Sequence, residues 1–505
     1  MHSINKKICF TGIIFFLLLV NSFAQTWYIT RGLSTDEVAW AVDVDSSGNI
    51  YWAVEEKDQW PYWYYNIVLF KIAPNAQQIW QSNSWDNGTG FNDIAFKATV
   101  KDSTIYLSGR TDSTASPASG DALVTSYDAN NGNFNWVYRF NPTPDYGYEE
   151  IDGVVVQPDG IYLSGWKQQQ NTNDMDFLIQ KINSSGQLVW STTWDYNSLG
   201  KFDGANGHMA MDDNFLYIAG HVNRTNIGSL DGDGAIACFS KNNGSYQWHT
   251  TWGGSLYDDA LGMTMGPDSM LYVVGYTGSY GNGSQTYLNK YSRSGILQWS
   301  RIWGGTGTED SRSVIAGSDA MIYVAGATSS YGNGLKDIFV LKYDTAGTLL
   351  DSLFWGGAYD EIAHDAALSG DYLYITGETK SYGNGQINGD HKADGLLLKV
   401  DVSSMQAPDS LMTATLPSAS ISENIKFSID YLNATASIFF NDPKNENFSV
   451  KAFNSIGQEI ITHPEILHNG GHTTVYINFS GFPKGICFIQ INKNDRSITK
   501  KIIIL

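Results

Sequence analysis

Residues 309–357 read EDSRSVIAGSDAMIYVAGATSSYGNGLKDIFVLKYDTAGTLLDSLFWGG, and this stretch decides the fold. Short apolar segments alternate in it with turns that are rich in Gly, Ser, Asn and Asp. Such segments, bounded by such turns, predict four consecutive β-strands. We call them strands a, b, c and d, and we expect them near 312–316, 321–325, 338–343 and 349–355.

The same unit occurs seven times. Its marker is a Tyr in strand b, which recurs at intervals of 51 to 56 residues and is followed in six units by a Gly three residues later. The markers are Tyr51, Tyr106, Tyr162, Tyr217, Tyr272, Tyr323 and Tyr374. Four short strands repeated seven times predict an all-β, seven-bladed β-propeller with one blade per unit.

The last unit lacks its own strand d. Residues 27–32 resemble residues 299–304 in the spacing of their aromatic residues and glycine. We therefore expect the N-terminal strand to complete the seventh blade, which removes two open sheet edges. Paired Trp residues in the strand-d segments recur from blade to blade, so we interpret them as packing between blades.

Composition narrows the class of function. The chain has 505 residues with 42% hydrophobic residues, which is enough apolar material for a large core. Its formal net charge of −20 argues against nucleic acid as a partner, because phosphate binding needs a basic surface.

The N-terminus predicts export. Lys6 and Lys7 precede the apolar run 8–20, and small residues follow it, as in a secretory signal peptide covering 1–25. The run is too short to span a bilayer comfortably, so we expect no membrane span in the mature chain. Only three Cys are present, and the first lies in the signal segment, so no disulfide framework is expected.

The composition of the chain changes near residue 405, and all 16 Trp precede that point. We predict the propeller at 26–405, a linker rich in Ser, Thr, Ala and Pro at 406–424, and a small C-terminal β-sandwich at 425–505.

Two resemblances follow from these motifs. The pattern Trp-Gly-Gly at 355–357, an acidic turn, Tyr-x-x-Gly, and Asp-x-Phe-x-x-Lys-Tyr-Asp at 337–344 resembles the bacterial SBBP-type β-propeller repeat. That resemblance implies a fold and an extracellular setting, but no single activity.

The tail resembles the type A C-terminal sorting domain of the type IX secretion system of Bacteroidetes. The residues that carry the resemblance are Asn454, Gly457, Gln458, Gly485, Lys500 and Lys501. Cys487 stands where that family usually has Tyr, and the usual Pro-Asn-Pro entry is missing. The resemblance implies that the secretion machinery is a partner of the tail, and that the protein is secreted or held on the outer cell surface.

Blade one departs from the repeat in its b-to-c loop. Five aromatic residues cluster there, where other blades have Gly, Ser and Asn. The candidate ligand-binding residues are Trp60, Tyr62, Trp63 and Tyr64, with Trp166 as a second irregular site on the same face. Exposed Trp and Tyr suit stacking on sugars or on protein partners. The alternative is that Tyr64 or Tyr65 begins strand c and that the other aromatic residues cover a neighbouring loop.

One acidic residue per blade precedes strand b by a similar distance. This ring is Glu37, Asp93, Glu150, Asp203, Asp259, Asp310 and Glu361. Its recurrence favours repeated turn chemistry, in which a carboxylate accepts backbone N–H bonds, over cation binding. No cofactor is predicted. Calcium stays open, with Asp231 and Asp233 as the candidate ligands.

Evidence for catalysis is thin. His208 and His364 fall at similar strand-a positions, but no metal triad and no nucleophile elbow can be assembled. The sequence favours a non-enzymatic module that binds extracellular polysaccharide or protein. An extracellular polysaccharide hydrolase or lyase, and a structural component of a surface layer or biofilm, are the alternatives.

Overall fold

A computed structural model describes residues 26–32, 36–57, 64–83, 85, 92–112, 120–141, 147–169, 174–196, 201–205, 208–225, 231–383 and 392–408, and the strands within 426–504. The described residues form 37 strands, and no helix occurs among them. No described segment is a helix long and apolar enough to cross a membrane. The predicted signal peptide lies outside the described residues.

The strands up to residue 401 form antiparallel blades in which strands a, b, c and d are hydrogen-bonded in that order. In the seventh blade the first strand of the chain takes the place of strand d. The first strands are β2 (Val38–Val44), β6 (Asp93–Lys101), β10 (Glu149–Gln157), the two pieces β14 (Phe202–Gly204) and β15 (Met209–Met211), β19 (Asp258–Met265), β23 (Glu309–Ala316) and β27 (Glu361–Ser369). The second strands are β3 (Ile50–Lys57), β7 (Thr104–Asp112), β11 (Gly160–Gln168), β16 (Phe215–Arg224), β20 (Leu271–Thr277), β24 (Met321–Thr328) and β28 (Tyr372–Thr379).

The outer half of each blade follows. The third strands are β4 (Tyr65–Ile72), β8 (Gly120–Asp128), β12 (Met175–Ile182), β17 (Asp233–Ser240), β21 (Gln285–Tyr291), β25 (Asp337–Asp344) and β29 (Asp394–Asp401). The fourth strands are β5 (Gln78–Gln81), β9 (Phe134–Phe140), β13 (Leu188–Trp194), β18 (Tyr246–Trp252), β22 (Leu297–Trp303), β26 (Leu349–Trp355) and β1 (Trp27–Arg31). A single parallel pair, Met175 with Phe202, joins the third blade to the fourth.

The first strands form a closed inner ring. Each contacts the first strand of the next blade, and β27 contacts β2. The ring is also closed by hydrogen bonds, because β1 pairs antiparallel with β29 and places Ile29 opposite Leu397. The all-β propeller fold is therefore as the repeat predicts.

Packing between blades explains the recurring Trp of strand d. The ring of Trp299 lies against Gly347, which is in the c-to-d turn of the next blade and has a φ of 82°. Four other pairs repeat this contact: Trp80 with Gly132, Trp136 with Gly186, Trp190 with Gly244, and Trp248 with Gly295. Large flat side chains thus fill the wedge between twisted sheets, as the sequence indicates.

The first strands carry β-bulges at one repeated level. The register with the second strand skips one residue, and a bulge of this kind re-aims the side chain of the extra residue. The skipped residues are Trp40, Phe96, Asp152, Leu261, Arg312 and His364. In blade four the first strand is interrupted instead, between β14 and β15.

The C-terminal part contains two antiparallel sheets. The first has the order β30 (Lys426–Asp430), β31 (Thr435–Asn441), β35 (His472–Asn478) and β34 (Glu465–Asn469). The second has the order β33 (Glu459–Ile460), β32 (Phe448–Asn454), β36 (Gly485–Lys493) and β37 (Arg496–Ile504).

Candidate functional site

The strand register corrects the predicted acidic ring. Ser311 pairs with the marker glycine Gly326, so Glu309 lies two residues before the paired position and Asp310 only one. Seven carboxylates share the earlier position, and we call them the repeat acid ring: Glu37, Asp93, Glu149, Asp203, Asp258, Glu309 and Glu361. None is more than 1% exposed. Glu150, Asp259 and Asp310 were therefore assigned to the ring wrongly, because each is offset by one residue and belongs to a different level.

Most of the repeat acid ring has structural partners. Glu361 accepts hydrogen bonds from the backbone N–H groups of Gly357 (2.6 Å) and Ser381 (3.0 Å) and from the Thr379 hydroxyl (2.8 Å). Asp203 accepts from the backbone N–H groups of Tyr196 and Asn223. A carboxylate in this position closes the d-to-a turn, which is the turn chemistry that the recurrence predicts.

The residues that differ from blade to blade lie beside this ring. They occupy the position before the marker's partner, the bulge or the end of strand b, except for Tyr257, which immediately precedes strand a of blade five, and all seven blades contribute. We call them the channel-mouth cluster: Trp40, Glu55, Arg110, Glu150, Asp152, Trp166, His221, Arg224, Tyr257, Asp259, Tyr276, Asp310, Arg312, His364 and Glu378. A requirement of the fold would repeat seven times, and these residues do not.

One side of the cluster is aromatic and cationic. The Trp40 ring stacks on the His364 ring at a centroid distance of 4.0 Å, and the Arg312 guanidinium lies 5.9 Å from the Trp40 ring centre. Arg312 forms an ion pair with Asp310 at 3.2 Å, and that carboxylate raises the pKa of Arg312. Burial lowers the pKa of His364, and the Arg312 charge lowers it further, so this imidazole is neutral at pH 7.

A second side holds two carboxyl groups two residues apart. Glu150 accepts hydrogen bonds from Trp166 Nε1 (2.8 Å) and from Arg110 Nη1 (3.2 Å), which hold its side chain in place. Burial, together with the charge of Glu150, raises the pKa of Asp152 well above its usual value. One oxygen of Asp152 is buried without a hydrogen-bond partner. Burial and the neighbouring charge thus favour the protonated form of Asp152.

The third side is a chain of hydrogen bonds. Tyr257 donates to Asp259 at 2.6 Å, and the Arg224 guanidinium lies 4.2 Å from the centre of the Tyr257 ring. His221 Nδ1 lies 3.4 Å from the other oxygen of Asp259. Burial acts to raise the pKa of Asp259, but its contacts with His221 and Tyr257 outweigh burial and lower it.

The cluster is open to solvent although it lies at the centre of the ring. The side chains of Arg312 and Asp310 keep 35% and 30% of their surface exposed, and Arg110 keeps 28%. Glu55, by contrast, is buried beside Trp40, and burial raises its pKa to about 8. A ligand at this mouth would meet aromatic faces, guanidinium groups and carboxyl groups.

Charged residues lie further along the inner ring. Lys97 forms an ion pair with the buried Asp365 at 2.5 Å, which joins blades two and seven. His208 lies near enough for the Lys97 charge to lower its pKa, in addition to burial. Lys97 also borders a cavity of about 450 Å³ at the opposite end of the first strands, whose walls are polar and apolar in about equal measure.

The structure places only part of the predicted ligand-binding set. Trp60, Tyr62 and Trp63 lie outside the described residues. Tyr64 is half-buried and immediately precedes β4, and Tyr65 is the first residue of that strand.

Trp166 is half-buried within the channel-mouth cluster, where it also lies 6.2 Å from the ring of Phe202. The structure thus puts the second predicted irregular site, in blade three, at the mouth.

The predicted cation ligands are not grouped with a third ligand among the described residues. Asp231 accepts a hydrogen bond from the Thr225 backbone N–H at 3.1 Å and another from its hydroxyl. Asp233 begins β17, and burial and the charge of Asp258 raise its pKa.

Four of the sorting-motif residues fall on described strands. Asn454 ends β32 opposite Cys487, and Gly485 begins β36. Lys500 and Lys501 lie in β37, where they pair with Ile489 and Phe488. Gly457 and Gln458 lie outside the described residues.

Sequence reasoning missed most of the channel-mouth cluster. The missed signal is the residue after the marker glycine, which is Arg110, Trp166, His221, Tyr276 and Glu378 in five blades and Ala327 in another. A position whose residue differs from blade to blade, although a constant glycine precedes it and a constant turn follows it, is a candidate site position.

Comparison with known protein families supports the interpretation of the tail as a sorting domain. Residues 430–505 match the secretion system C-terminal sorting domain family, which supports a protein secreted by the type IX secretion system. No curated protein sequence matches the chain.

Solved structures similar to this chain include all-β proteins of low identity. The phage phi92 endosialidase is 10% identical, covers 94% of this chain and 87% of its own, and gives a TM-score of 0.43. The Hadza microbial sialidase Hz136 is 8% identical, with coverages of 72% and 75% and a TM-score of 0.40. The WD40 propeller domain of Doa1 is 12% identical, with coverages of 60% and 92% and a TM-score of 0.30. At these values the neighbours carry no argument about activity.

Proposed function

We propose that this protein is a secreted or surface-attached propeller that binds an extracellular polysaccharide at its channel mouth. The observation that carries the proposal is the contrast between fixed and variable positions. Each blade repeats its turns, its marker residues and its buried acid, yet the seven blades put different aromatic and charged side chains at one end of the channel.

The chemistry of the mouth suits sugars. Indole and phenol rings offer flat apolar faces to sugar rings, and carboxyl and guanidinium groups bind pairs of hydroxyls. The aromatic residues of blade one, Trp60, Tyr62, Trp63 and Tyr64, lie in the sequence between β3 and β4, and we propose that they extend the binding surface.

The route to the cell exterior completes the proposal. The predicted signal peptide 1–25 delivers the chain to the periplasm, and the tail then addresses it to the type IX machinery. We retain the resemblance of the repeat to the SBBP type, and the boundaries 26–405 and 425–505, as interpretations of the sequence.

Binding to a broad array of extracellular glycans, with residues 26–505 and calcium present, tests the proposal. Arg312→Ala should weaken binding to the captured glycan at least about tenfold, because hydrogen bonds from a charged group contribute about 1.5–3 kcal/mol. Arg293→Ala is the matched control, since Arg293 pairs with Asp212 in turns at the other end of the blades. Equal effects of the two changes, or capture of no glycan, would refute binding at the mouth and redirect the search to protein partners.

A polysaccharide hydrolase is the second candidate, and the Glu150–Asp152 pair favours it. A protonated Asp152 could deliver its proton to the departing glycosidic oxygen, while water adds to the anomeric carbon and gives its own proton to the Glu150 carboxylate. The test is release of new reducing ends from any glycan that binds. Asp152→Asn should abolish release and leave binding within about twofold, because the amide keeps the shape of the carboxyl group. Binding without release by the unchanged protein would exclude the hydrolase.

A further inference from the structure

A group of three carboxylates in blade three lies away from the channel axis. Asp174 precedes β12, Asp176 is the second residue of β12, and Asp195 follows β13. Each offers an oxygen that lies within 4.8 Å of the oxygens offered by the other two. These oxygens are close enough to share one cation.

Asp176 is the buried member of the group. Its side chain is only 2% exposed, and its Oδ1 atom is inaccessible to solvent and has no hydrogen-bond partner. The Gln169 side-chain amide donates to its other oxygen. The charged groups that act on Asp176 most strongly are the carboxylates of Asp174, Asp195 and Asp203, and together with burial they raise its pKa to about 6. A buried carboxylate oxygen surrounded by negative charge lacks a positive partner.

The other blades show what normally faces this aspartate. In blades six, four and seven the residue opposite the strand-c aspartate is Gly356, Gly253 or Gly32. A Cβ at these glycines would overlap the Oδ1 atom of the aspartate. The repeat therefore leaves no room there for another side chain.

Blades two and three replace that glycine differently. Blade two has Asn141, whose amide donates to Asp121 Oδ1 at 2.7 Å. Blade three has Asp195 at the same place, after Trp194. Asparagine can satisfy the opposing carboxylate by itself, whereas a second aspartate repels it unless a cation lies between them.

We propose that Asp174, Asp176 and Asp195 bind one divalent cation of the calcium type. Three carboxylates supply the hard oxygen ligands that Ca²⁺ prefers, and water or backbone oxygens would fill the remaining positions. The site is distinct from Asp231 and Asp233, the candidates from the sequence. It does not depend on the proposed sugar binding.

The cation would link two loops on the face that carries the b-to-c and d-to-a connections. Asp174 ends the b-to-c connection of blade three, and Asp195 begins the connection into blade four. The parallel pair Met175 with Phe202 joins the blades beside them, and Phe202 also packs on Trp166 of the mouth. An occupied site would therefore fix the position of the strand ends that carry part of the channel-mouth cluster.

Thermal unfolding of residues 26–505 with Ca²⁺ as the only added ligand tests the site. We expect the melting temperature to rise by about 2–5 °C between chelator and 10 mM Ca²⁺, as mass action predicts for an extracellular site of modest affinity. Asp195→Asn should remove this rise. In chelator the variant should melt above the unchanged protein, because an amide like that of Asn141 replaces a repelling charge. A variant that melts at a higher temperature in chelator and yet does not respond to Ca²⁺ cannot be a misfolded protein.

Two further variants keep the test decisive. Asp195→Gly restores the residue of the other blades and should also lose the response to Ca²⁺. Asp231→Asn is the matched control in blade four and should respond like the unchanged protein. Tb³⁺ luminescence excited through Trp194 should disappear in Asp195→Asn and persist in Asp231→Asn. An unchanged melting temperature in Ca²⁺, or equal responses of Asp195→Asn and Asp231→Asn, would overturn the proposal.

Discussion

Two sets of acidic residues lie one position apart on the same strands of this propeller, and they behave differently. The repeat acid ring recurs in every blade and is buried, and most of its members are held by turn N–H groups, as Glu361 is by Gly357 and Ser381. The neighbouring acids of the channel-mouth cluster, such as Asp310 and Glu150, occur in some blades only and bind side chains such as Arg312 and Arg110.

The difference teaches how to interpret a repeat protein. A residue that recurs at one register position serves a need that every blade shares, which is the closing of a turn. A residue that varies there serves the molecule as a whole. Abundance of carboxylates alone separates neither class, because the two sets are adjacent in sequence.

The largest effect should come from Glu361→Ala. The change removes the acceptor of the buried Thr379 hydroxyl and of the half-buried N–H groups of Gly357 and Ser381. Because an orphaned donor costs about 1–3 kcal/mol, we expect the free energy of unfolding to fall by about 3–5 kcal/mol. Urea denaturation measures it. Glu378→Ala, in the mouth of the same blade, should lower it by less than about 1 kcal/mol. Similar losses in the two variants would remove the distinction between the two sets.

The marker glycine should give the next effect. A Cβ at Gly326 would overlap the backbone carbonyl oxygen of Asp310, because the bulge brings that carbonyl over the glycine. Gly326→Ala should therefore destabilise the protein by about 2–4 kcal/mol, at or above the usual range for overpacking. Gly370 is the control, since nothing lies within 4 Å of its Cβ position and only its φ of 57° resists substitution. Gly370→Ala should lower the free energy of unfolding by about 1 kcal/mol.

Much of the fold could be predicted because its signals are local and repeated. The turns, the marker Tyr and the recurring Trp each appear several times, so the assignment does not depend on a match in any single blade. The similarity of residues 27–32 to residues 299–304 pointed to the position that β1 occupies beside β29. The reason for the marker glycine could not be inferred, because it depends on a bulge in a different strand.

The site was harder to predict for a physical reason. A bulge shifts the register by one residue and reverses which side chains face the axis, and the sequence does not display it. Glu150, Asp259 and Asp310 were therefore grouped with Glu37 and Glu361 although they lie one position further. Trp166 was found because it breaks the repeat, whereas Trp40 and Arg312 stand in strands that look ordinary.

Glu149 should make the stability of the protein depend on pH. One of its oxygens is buried without a partner, and burial raises its pKa to about 7 from 4.5. The folded state therefore keeps a proton that the unfolded chain releases, so the stability of the unchanged protein falls as pH rises from about 4.5 to 7. Glu149→Gln removes this loss. We expect the variant to gain about 1–3 kcal/mol over the unchanged protein at pH 8 and nothing at pH 4.5, measured by urea denaturation. A gain that is the same at both pH values would contradict the assignment.

The smallest expected effect is the difference between substitutions of two tryptophans. Trp166 Nε1 donates to Glu150 in the mouth, and Trp80 Nε1 donates to the carbonyl oxygen of Ala129 between two blades. Replacing either by Phe removes one N–H and keeps an aromatic ring, so each variant should lose about 1 kcal/mol of stability. Only Trp166→Phe should change glycan affinity, by about three- to tenfold, because Glu150 then loses one of the two donors that orient it towards the ligand. Titration of both variants with the same glycan measures the difference. If Trp80→Phe weakened glycan binding as much as Trp166→Phe, then packing anywhere in the ring would affect binding. That result would contradict the assignment of the binding site to the channel-mouth cluster.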